Sequence, residues 1–290
     1  MSHHIAAFVL IFLLFFFSYF LTPSHSSTNS FIFGGCSQQK YIPGSSYESN
    51  LNSLLTSLVN SATYSSYNKF TILGSTSQDV VYGLYQCRGD LSMPDCAMCV
   101  AHSVSQFGTL CPDSTGGSLQ LQGCFIKYDN TTFLGVEDKS VLLKKCGPSY
   151  NQDDLMNLRD AVLAGLASGG GPYRVGASGK VQGVAQCVGD LSGAECQDCV
   201  SEAIGRLKSE CVVAVSGDVF LGKCYARYSA GSIGGSMDSK STGSASSGGG
   251  SSRNYGEKAF AIIIGLLAGV ALLIVFFSFI LTKLFGGKGK

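Results

Sequence analysis

Twelve cysteines, arranged as two sets with the same internal spacing, constrain the fold of this chain more than any other feature. From the second to the sixth cysteine, each set reads C-x8-C-x2-C-x11-C-x12-C. The second set follows the first at an offset of one hundred residues, and the intervening residues repeat as well: QCRGDLSMPDCAMCV (86–100) returns as QCVGDLSGAECQDCV (186–200). The pattern predicts two copies of one domain of about 90 to 110 residues.

Disulfide bonds explain these cysteines best. Each repeat contains an even number of them, and a chain that enters the secretory route meets an oxidising compartment. Six cysteines allow fifteen pairings, which the sequence alone leaves open. A zinc ribbon or a thioredoxin-type redox site is the alternative for the C-x2-C pairs, but no further C-x2-C pair completes a zinc site within a repeat. The cysteines are Cys36, Cys87, Cys96, Cys99, Cys111 and Cys124, then Cys146, Cys187, Cys196, Cys199, Cys211 and Cys224.

Long apolar runs lie near both ends of the chain. The first is followed by small polar residues and predicts a secretory signal peptide over residues 1–26, with an uncleaved anchor as the alternative. The second predicts a transmembrane helix over residues 259–282, because its uncharged stretch is long enough to cross a bilayer core of about 30 Å. The tail, residues 283–290, contains three lysines, which favours a cytosolic C-terminus and argues against a glycolipid-anchor signal. We therefore expect a single-pass type I protein of the plasma membrane.

Between these ends, the sequence predicts a two-domain ectodomain on a flexible stalk. The domains cover residues 27–140 and 141–229, and the Gly/Ser-rich stalk covers residues 230–258. Asn130 begins the sequon Asn-Thr-Thr and is a candidate glycosylation site. Without the three lysines of the tail, 17 of the 20 basic residues remain against 19 acidic residues. Because the rest of the chain is slightly acidic, we expect no nucleic-acid partner.

Each repeat predicts an α+β domain in which two helices pack on one face of an antiparallel sheet. Apolar residues recur at helical spacing over residues 45–61, and a matching pattern follows Asp153 in the second repeat. Residues 70–73 and 80–86 are rich in β-branched and aromatic side chains, and residues 119–128 alternate, so these segments predict strands. Pro94 opens a second helix on which two cysteines share one side and can reach two different strands.

The Arg88-Gly89-Asp90 triplet invites comparison with integrin ligands. The second copy reads Val188-Gly189-Asp190, so the repeated part is Gly-Asp-Leu-Ser, which is typical of a turn that leads into a helix. We therefore interpret the triplet as structural.

The residues predict neither an enzyme nor a cofactor or metal site. His102 is the one histidine outside the predicted signal peptide, and we interpret it as a surface or partly packed side chain rather than a general base. The acidic pairs Glu137-Asp138 and Asp153-Asp154 are better explained as a solvated loop and a helix start than as a hydrolytic pair of carboxylates.

Within the predicted transmembrane helix, Gly265 and Gly269 form a G-x3-G pair. Such a pair lets two helices approach closely in a bilayer and would support a homo-oligomer, although glycine is also common in transmembrane helices. We keep both interpretations.

The C-x8-C-x2-C pattern, the preceding Gln and the later strand LQLQGCFIKY resemble the plant stress-antifungal domain, also called domain of unknown function 26, typified by ginkbilobin. The resemblance covers residues 36–133 and 146–228. Two such domains between a signal peptide and one transmembrane helix with a short tail resemble the plasmodesmata-located proteins. The cysteine-rich receptor-like kinases share this ectodomain.

This resemblance implies a disulfide pairing and a cellular role. The implied pairs are Cys36–Cys111, Cys87–Cys96, Cys99–Cys124, Cys146–Cys211, Cys187–Cys196 and Cys199–Cys224. The implied role is to restrict cell-to-cell traffic at plasmodesmata, in part by promoting callose deposition, with further roles in defence and in use by viral movement proteins. The implied partners are wall glycan, receptor kinases, the callose synthase machinery and viral movement proteins. A tethered antifungal or glycan-binding lectin and a kinase-less co-receptor are the alternatives.

The resemblance also implies positions for a mannose site, formed in ginkbilobin by Asn, Arg and Glu. Those positions hold Ser37, Ser118 and Asp129 in the first repeat, and Gly147, Asp218 and Ser229 in the second. Because the bidentate Arg donor and the Asn amide are both missing, mannose binding of that kind is not expected.

Overall fold

The computed structural model describes residues 27–149 and 153–231. The predicted signal peptide, most of the stalk and the predicted transmembrane helix with Gly265 and Gly269 lie outside these ranges. Within the two described ranges, no helix has both the length and the apolar character that a membrane crossing requires.

Each domain is built from five strands and two α-helices of the described residues. In the first domain these are β1 Phe31–Cys36, α1 Ser46–Ser61, β2 Tyr67–Ile72, β3 Val81–Cys87, α2 Met93–Leu110, β4 Gly116–Leu121 and β5 Cys124–Asp129. In the second they are β6 Val141–Cys146, α3 Asp153–Ser168, β7 Tyr173–Ser178, β8 Val181–Cys187, α4 Gly193–Glu210, β9 Ser216–Leu221 and β10 Cys224–Ala230.

Both sheets are antiparallel and share one topology. The strand order is β1-β4-β5-β3-β2 in the first domain and β6-β9-β10-β8-β7 in the second. Helix side chains such as Leu54 and Phe107 join Ile126 and Tyr128 of the central strand in one buried cluster. The predicted architecture, two tandem α+β domains with helices against an antiparallel sheet, is therefore confirmed.

The second helix of each domain begins as the sequence predicts. Ser92 caps α2 by accepting a hydrogen bond from the backbone N–H of Asp95. In α4, Ser192 and Glu195 form a reciprocal capping box, which satisfies two backbone donors at the helix start. The repeated Gly-Asp-Leu-Ser motif is thus a turn that ends in a helix cap.

Six disulfides tie the helices to the sheets. The bonded pairs are Cys36–Cys111, Cys87–Cys96, Cys99–Cys124, Cys146–Cys211, Cys187–Cys196 and Cys199–Cys224. These are the pairs that the family resemblance implies. Cys96 and Cys99 lie one helical turn apart on α2 and reach the neighbouring strands β3 and β5, whose Cys87 and Cys124 are opposite each other. One helix face is therefore linked to the middle of its own sheet.

The structure differs from the sequence prediction in two places. Residues 119–128 form two strands, because the chain reverses at Gln122-Gly123 between β4 and β5. The edge strands β1 and β6 were not predicted, because they are mostly exposed or half-buried and lack a clear apolar alternation. Their pairing with β4 and β9 depends on neighbours that are distant in sequence.

Candidate functional site

The two copies of the duplicated stretch (86–100 and 186–200) contact each other where the domains meet. The side-chain amide of Gln186 donates to the backbone carbonyl of Cys87 at 2.9 Å. In the opposite direction, the backbone N–H of Gly189 donates to Oε1 of Gln86, also at 2.9 Å. The end of β3 is therefore hydrogen-bonded to the end of β8, and we call this contact region the junction.

Two tyrosines from the edge strands cover the repeated Gly-Asp turns reciprocally. A Cβ atom placed on Gly89 would lie 2.4 Å from Cγ of Tyr173, and one placed on Gly189 would lie 2.8 Å from Cγ of Tyr67. Each turn therefore has room for glycine only, because a tyrosine of the other domain lies on it. Since Tyr67 pairs with Gln86 and Tyr173 with Gln186 in their own sheets, the junction has an approximate two-fold arrangement.

The aspartates of the two turns are neutralised by different cations. In the first domain, Arg88 binds Asp90 through Nε at 2.6 Å and Nη2 at 3.1 Å, and donates to the backbone carbonyl of Gln122. The Arg-Gly-Asp side chains are thus bonded to each other, which supports the structural interpretation of the triplet.

In the second domain, Asp190 pairs with Lys223, and both side chains are almost completely buried. Nζ of Lys223 also donates to the carbonyl of Phe133, at 2.9 Å, and Asp190 accepts from the backbone N–H of Gly135 at 2.8 Å. Burial lowers the pKa of Lys223, while the adjacent carboxylate opposes that shift. This pair ties the segment after β5 to the second domain.

Apolar and polar contacts extend the junction across the sheet faces that point away from the helices. A small buried cluster combines three residues of the first domain with one of the second: Leu84, Phe125, Phe133 and Val188. Phe33 meets Phe220 edge to face, with ring centroids 5.7 Å apart. Arg227 binds Asp218 at 2.7 Å and donates to Oε1 of Gln122 in the first domain at 2.7 Å. The two domains thus form one continuous unit.

The positions of the implied sugar site lie close together in the first domain but carry different chemistry. A Cβ atom on Gly116 would be 2.8 Å from Oδ2 of Asp129 and 3.3 Å from Cβ of Ser37, so these two side chains flank the same glycine. Ser118 follows two residues later in β4, between Gly35 and Lys127 in the sheet. No guanidinium or amide comes from these three positions, so the bidentate donor of the family site is missing.

The corresponding positions of the second domain are used for structure. Asp218 is bonded to Arg227, which reaches across the junction to Gln122. Gly147 lies against the hydroxyl of Ser216, which pairs with Ser229 across the sheet. The carboxylate at the family's arginine position is therefore part of an ion pair that supports the contact between domains.

Comparison with known proteins places this chain in a family. The salt stress response/antifungal family model matches residues 35–131 and 146–231. Plasmodesmata-located protein 7 of Arabidopsis thaliana is 63% identical over 263 residues, which cover 90% of this chain and 85% of that protein. Plasmodesmata-located protein 6 of the same organism is 57% identical to this chain, and the matching region covers 93% of that protein. The chain belongs to the plasmodesmata-located protein family.

Solved structures of this family agree with the fold. The tandem ectodomain of the Arabidopsis thaliana cysteine-rich receptor-like protein PDLP5 is 50% identical and matches with a TM-score of 0.67 over 70% of this chain and 100% of that chain. The corresponding PDLP8 ectodomain is 45% identical, with a TM-score of 0.68 over 70% of this chain and 99% of that chain. Both are cysteine-rich receptor-like ectodomains, a class that is not known for catalysis.

Three further residues considered in the sequence each contact a neighbouring polar side chain. The ring of His102 lies 2.7 Å from Nε2 of Gln106 on the same helix, and the side chain is half-buried. Glu137 pairs with Lys139 at 3.3 Å. Asn130 is half-buried beside Gln39, and its glycosylation stays a prediction.

Sequence reasoning missed most of the junction. Lys223 stands where the first domain has Gly123, and Val188 stands where it has Arg88. The second repeat thus loses a charge at one position and gains one at another. A comparison of the repeats for such paired changes would have indicated that Lys223 takes the place of Arg88 beside the aspartate. The roles of Tyr67 and Tyr173 had no such signal, because each is an ordinary edge-strand residue in its own repeat.

Proposed function

We propose that this chain is a non-enzymatic, single-pass type I protein of plasmodesmata that restricts cell-to-cell traffic by promoting callose deposition. The observation that carries the proposal is the similarity to plasmodesmata-located proteins 6 and 7 across 85% or more of their length, which includes both disulfide-rich domains. Roles in defence and in viral movement belong to the same proposal as downstream consequences of altered traffic.

The junction supports an ectodomain that acts as a single two-domain binding unit. Gln186, Lys223 and Arg227 each bond across the boundary, so the free surfaces of both domains are held in one arrangement. A partner such as a receptor kinase or a component of the callose synthase machinery would meet a preorganised surface, which reduces the entropic cost of binding.

The first experiment is the position of a C-terminal fluorescent fusion of the full chain in living leaf epidermis. We expect paired puncta across shared walls that coincide with callose staining, and slower spread of a diffusing dye between cells. The matched control is the same fusion without residues 27–229, which keeps both predicted apolar segments and the stalk. An even outline of the plasma membrane, or unchanged dye spread despite puncta, would contradict the proposal.

A tethered lectin is the second candidate, because Ser37 and Asp129 flank one glycine at the position of the family's sugar site. Saturable binding of the purified ectodomain to plant or fungal wall glycans, lost on a Ser37→Arg substitution that crowds this site, would favour it. No binding across a glycan array would leave the plasmodesmal proposal alone.

A further inference from the structure

A cleft of about 680 Å³ lies between α1 and α2 of the first domain. Its floor is formed by the buried side chains of Leu51, Phe107 and Tyr128. Its walls are apolar and half-buried, and consist of Leu55, Val59 and Val104. Clefts of about 300 to 1,000 Å³ with apolar walls are the usual size of small-molecule sites.

The second domain fills the equivalent space with one of its own side chains. Arg159 occupies the position of Leu51 when α1 and α3 are aligned on the residues that pack against Gly83 and Gly183. Its guanidinium donates to the backbone carbonyls of Cys211 and Val212 and lies beside Tyr228. The first-domain counterparts of these three residues are Cys111, Pro112 and Tyr128, and all three line the cleft.

The apolar walls of the first-domain cleft are more exposed than their counterparts in the second domain. Leu163 and Ile204, the counterparts of Leu55 and Val104, are 0% and 4% exposed, whereas Leu55 and Val104 are half-buried. The carbonyl of Pro112 needs no further donor, because Nζ of Lys40 donates to it. The first domain therefore lacks cover for these apolar side chains, not a donor for this carbonyl.

The polar groups of the cleft are almost all uncharged. Of the described residues that line it, only Asp113 carries a charge, and its side chain is exposed. Burial raises the pKa of Tyr128, so that its phenol stays neutral. The rim is formed by exposed amide and hydroxyl side chains: Asn52, Thr56, Asn60 and Ser105.

From this arrangement we infer that the first-domain cleft is a binding site for a small, uncharged molecule with an apolar body and one or two polar groups. The apolar body covers Leu55, Val59 and Val104, and the rim amides and hydroxyls bind the polar groups. The site lies on the helix side of the domain, away from the junction, and the inference goes beyond the proposed role in cell-to-cell traffic. In the described part of the second domain, the side chain of Arg159 occupies the equivalent space.

The test uses the isolated ectodomain, residues 27–231, since the solved PDLP5 and PDLP8 structures are isolated tandem ectodomains. The probe is N-phenyl-1-naphthylamine, an uncharged fluorophore whose emission rises in apolar surroundings. We expect saturable binding of one probe per chain. The anionic analogue 8-anilinonaphthalene-1-sulfonate should bind at least about tenfold more weakly, because the cleft would have to bury its charge.

Matched variants locate the site. Val104→Trp should fill the cleft and abolish binding, whereas Thr109→Trp, on an exposed part of the same helix, should bind as wild type does. Arg159→Leu should open the equivalent space in the second domain and raise the stoichiometry to two probes per chain. Probe binding is interpreted only for variants whose melting midpoint equals that of the wild type. Leu51→Arg, which copies the second domain, replaces any variant that fails to fold.

Three results with the monomeric ectodomain would overturn the inference. These are absence of saturable binding to the wild-type ectodomain, equal binding of the charged and uncharged probes, and undiminished binding by a folded Val104→Trp or Leu51→Arg variant. Probe binding that depends on protein concentration, with dimers in sedimentation, would assign the cleft to a second copy of the chain and would also overturn it.

Discussion

The two domains neutralise the same aspartate in different ways. Asp90 is bound by Arg88, two residues earlier in its own turn, and the two side chains are 27% and 15% exposed. Asp190 is bound by Lys223 from the turn between β9 and β10, and these side chains are 0% and 2% exposed. The Arg88–Asp90 pair stabilises a turn. The Lys223–Asp190 pair is instead enclosed by hydrogen bonds to the backbone of Phe133 and Gly135, in the segment that follows β5. A duplicated motif can thus keep its geometry while one copy acquires a role between domains.

Lys223→Met should show the largest difference between the two pairs. It leaves the buried carboxylate of Asp190 without its cation, which we expect to lower the free energy of unfolding by about 3–5 kcal/mol. Arg88→Met, in the more exposed pair, should cost about 1 kcal/mol. Chemical denaturation of the two ectodomain variants measures both values. A double Lys223→Met/Asp190→Asn variant should recover part of the loss, and equal costs for the two single variants would contradict the comparison.

The disulfides of the two domains should contribute similarly. Cys99–Cys124 and Cys199–Cys224 close loops with the same sequence separation of 25 residues. Replacing either pair by alanines should lower the free energy of unfolding by about 2–5 kcal/mol, chiefly by relaxing the unfolded chain. The single Cys199→Ala variant should lose a similar amount and expose one free thiol. A melting transition like that of the wild type would refute the pairing.

Glycine substitutions test the two-fold character of the junction. Gly89→Ala and Gly189→Ala each place a methyl group against a tyrosine of the opposite domain, which should cost about 1–3 kcal/mol through overpacking. Tyr173→Ala should relieve the first substitution but not the second, and Tyr67→Ala the reverse. A double-mutant cycle in chemical denaturation measures this coupling, and additive effects in all four combinations would contradict the reciprocal contact.

The smallest effect concerns alkaline pH. Burial and the nearby Asp90 raise the pKa of Tyr173 to about 12. Because the folded-state value lies above that of an unfolded tyrosine, about 10, stability is fully present below pH 10 and is lost as pH rises toward 12. Tyr173→Phe should remove about 1 kcal/mol of this alkaline loss, after allowance for solvent screening. Denaturation at pH 8 and pH 11 checks the difference, and an identical pH dependence would contradict the assignment.

Much of the single-domain fold could be predicted because it is local. The spacing of Cys96 and Cys99 on one helix face, the cap at Ser92 and the helical pattern of α1 are written in short segments. The edge strand β1 could not be predicted in this way. Its partner β4 lies about eighty residues later, and the residues of β1 show no regular alternation of apolar and polar side chains.

The junction and the cleft could not be predicted for a different reason. Lys223 at the junction and Arg159 in the second-domain counterpart of the cleft are charged residues of a kind usually found at the surface, yet both are buried. Only the packed structure shows the carbonyls and carboxylate that satisfy them. At the positions that the family resemblance implies for sugar binding, the sequence shows the side chains, but it does not indicate that Asp218 supports the contact with the first domain through Arg227.

The strand order has a mechanical consequence. The chain leaves the described structure directly after β10, which is the central strand of its sheet and is hydrogen-bonded along its length to β8 and β9. Tension applied through the following segment therefore runs along a strand held on both sides, and it loads many hydrogen bonds in shear at once rather than opening them singly. At the other end of that strand, the bond from Cys224 to Cys199 transmits the load to α4. A pull on this attachment point would be shared by the whole domain before any strand could peel away.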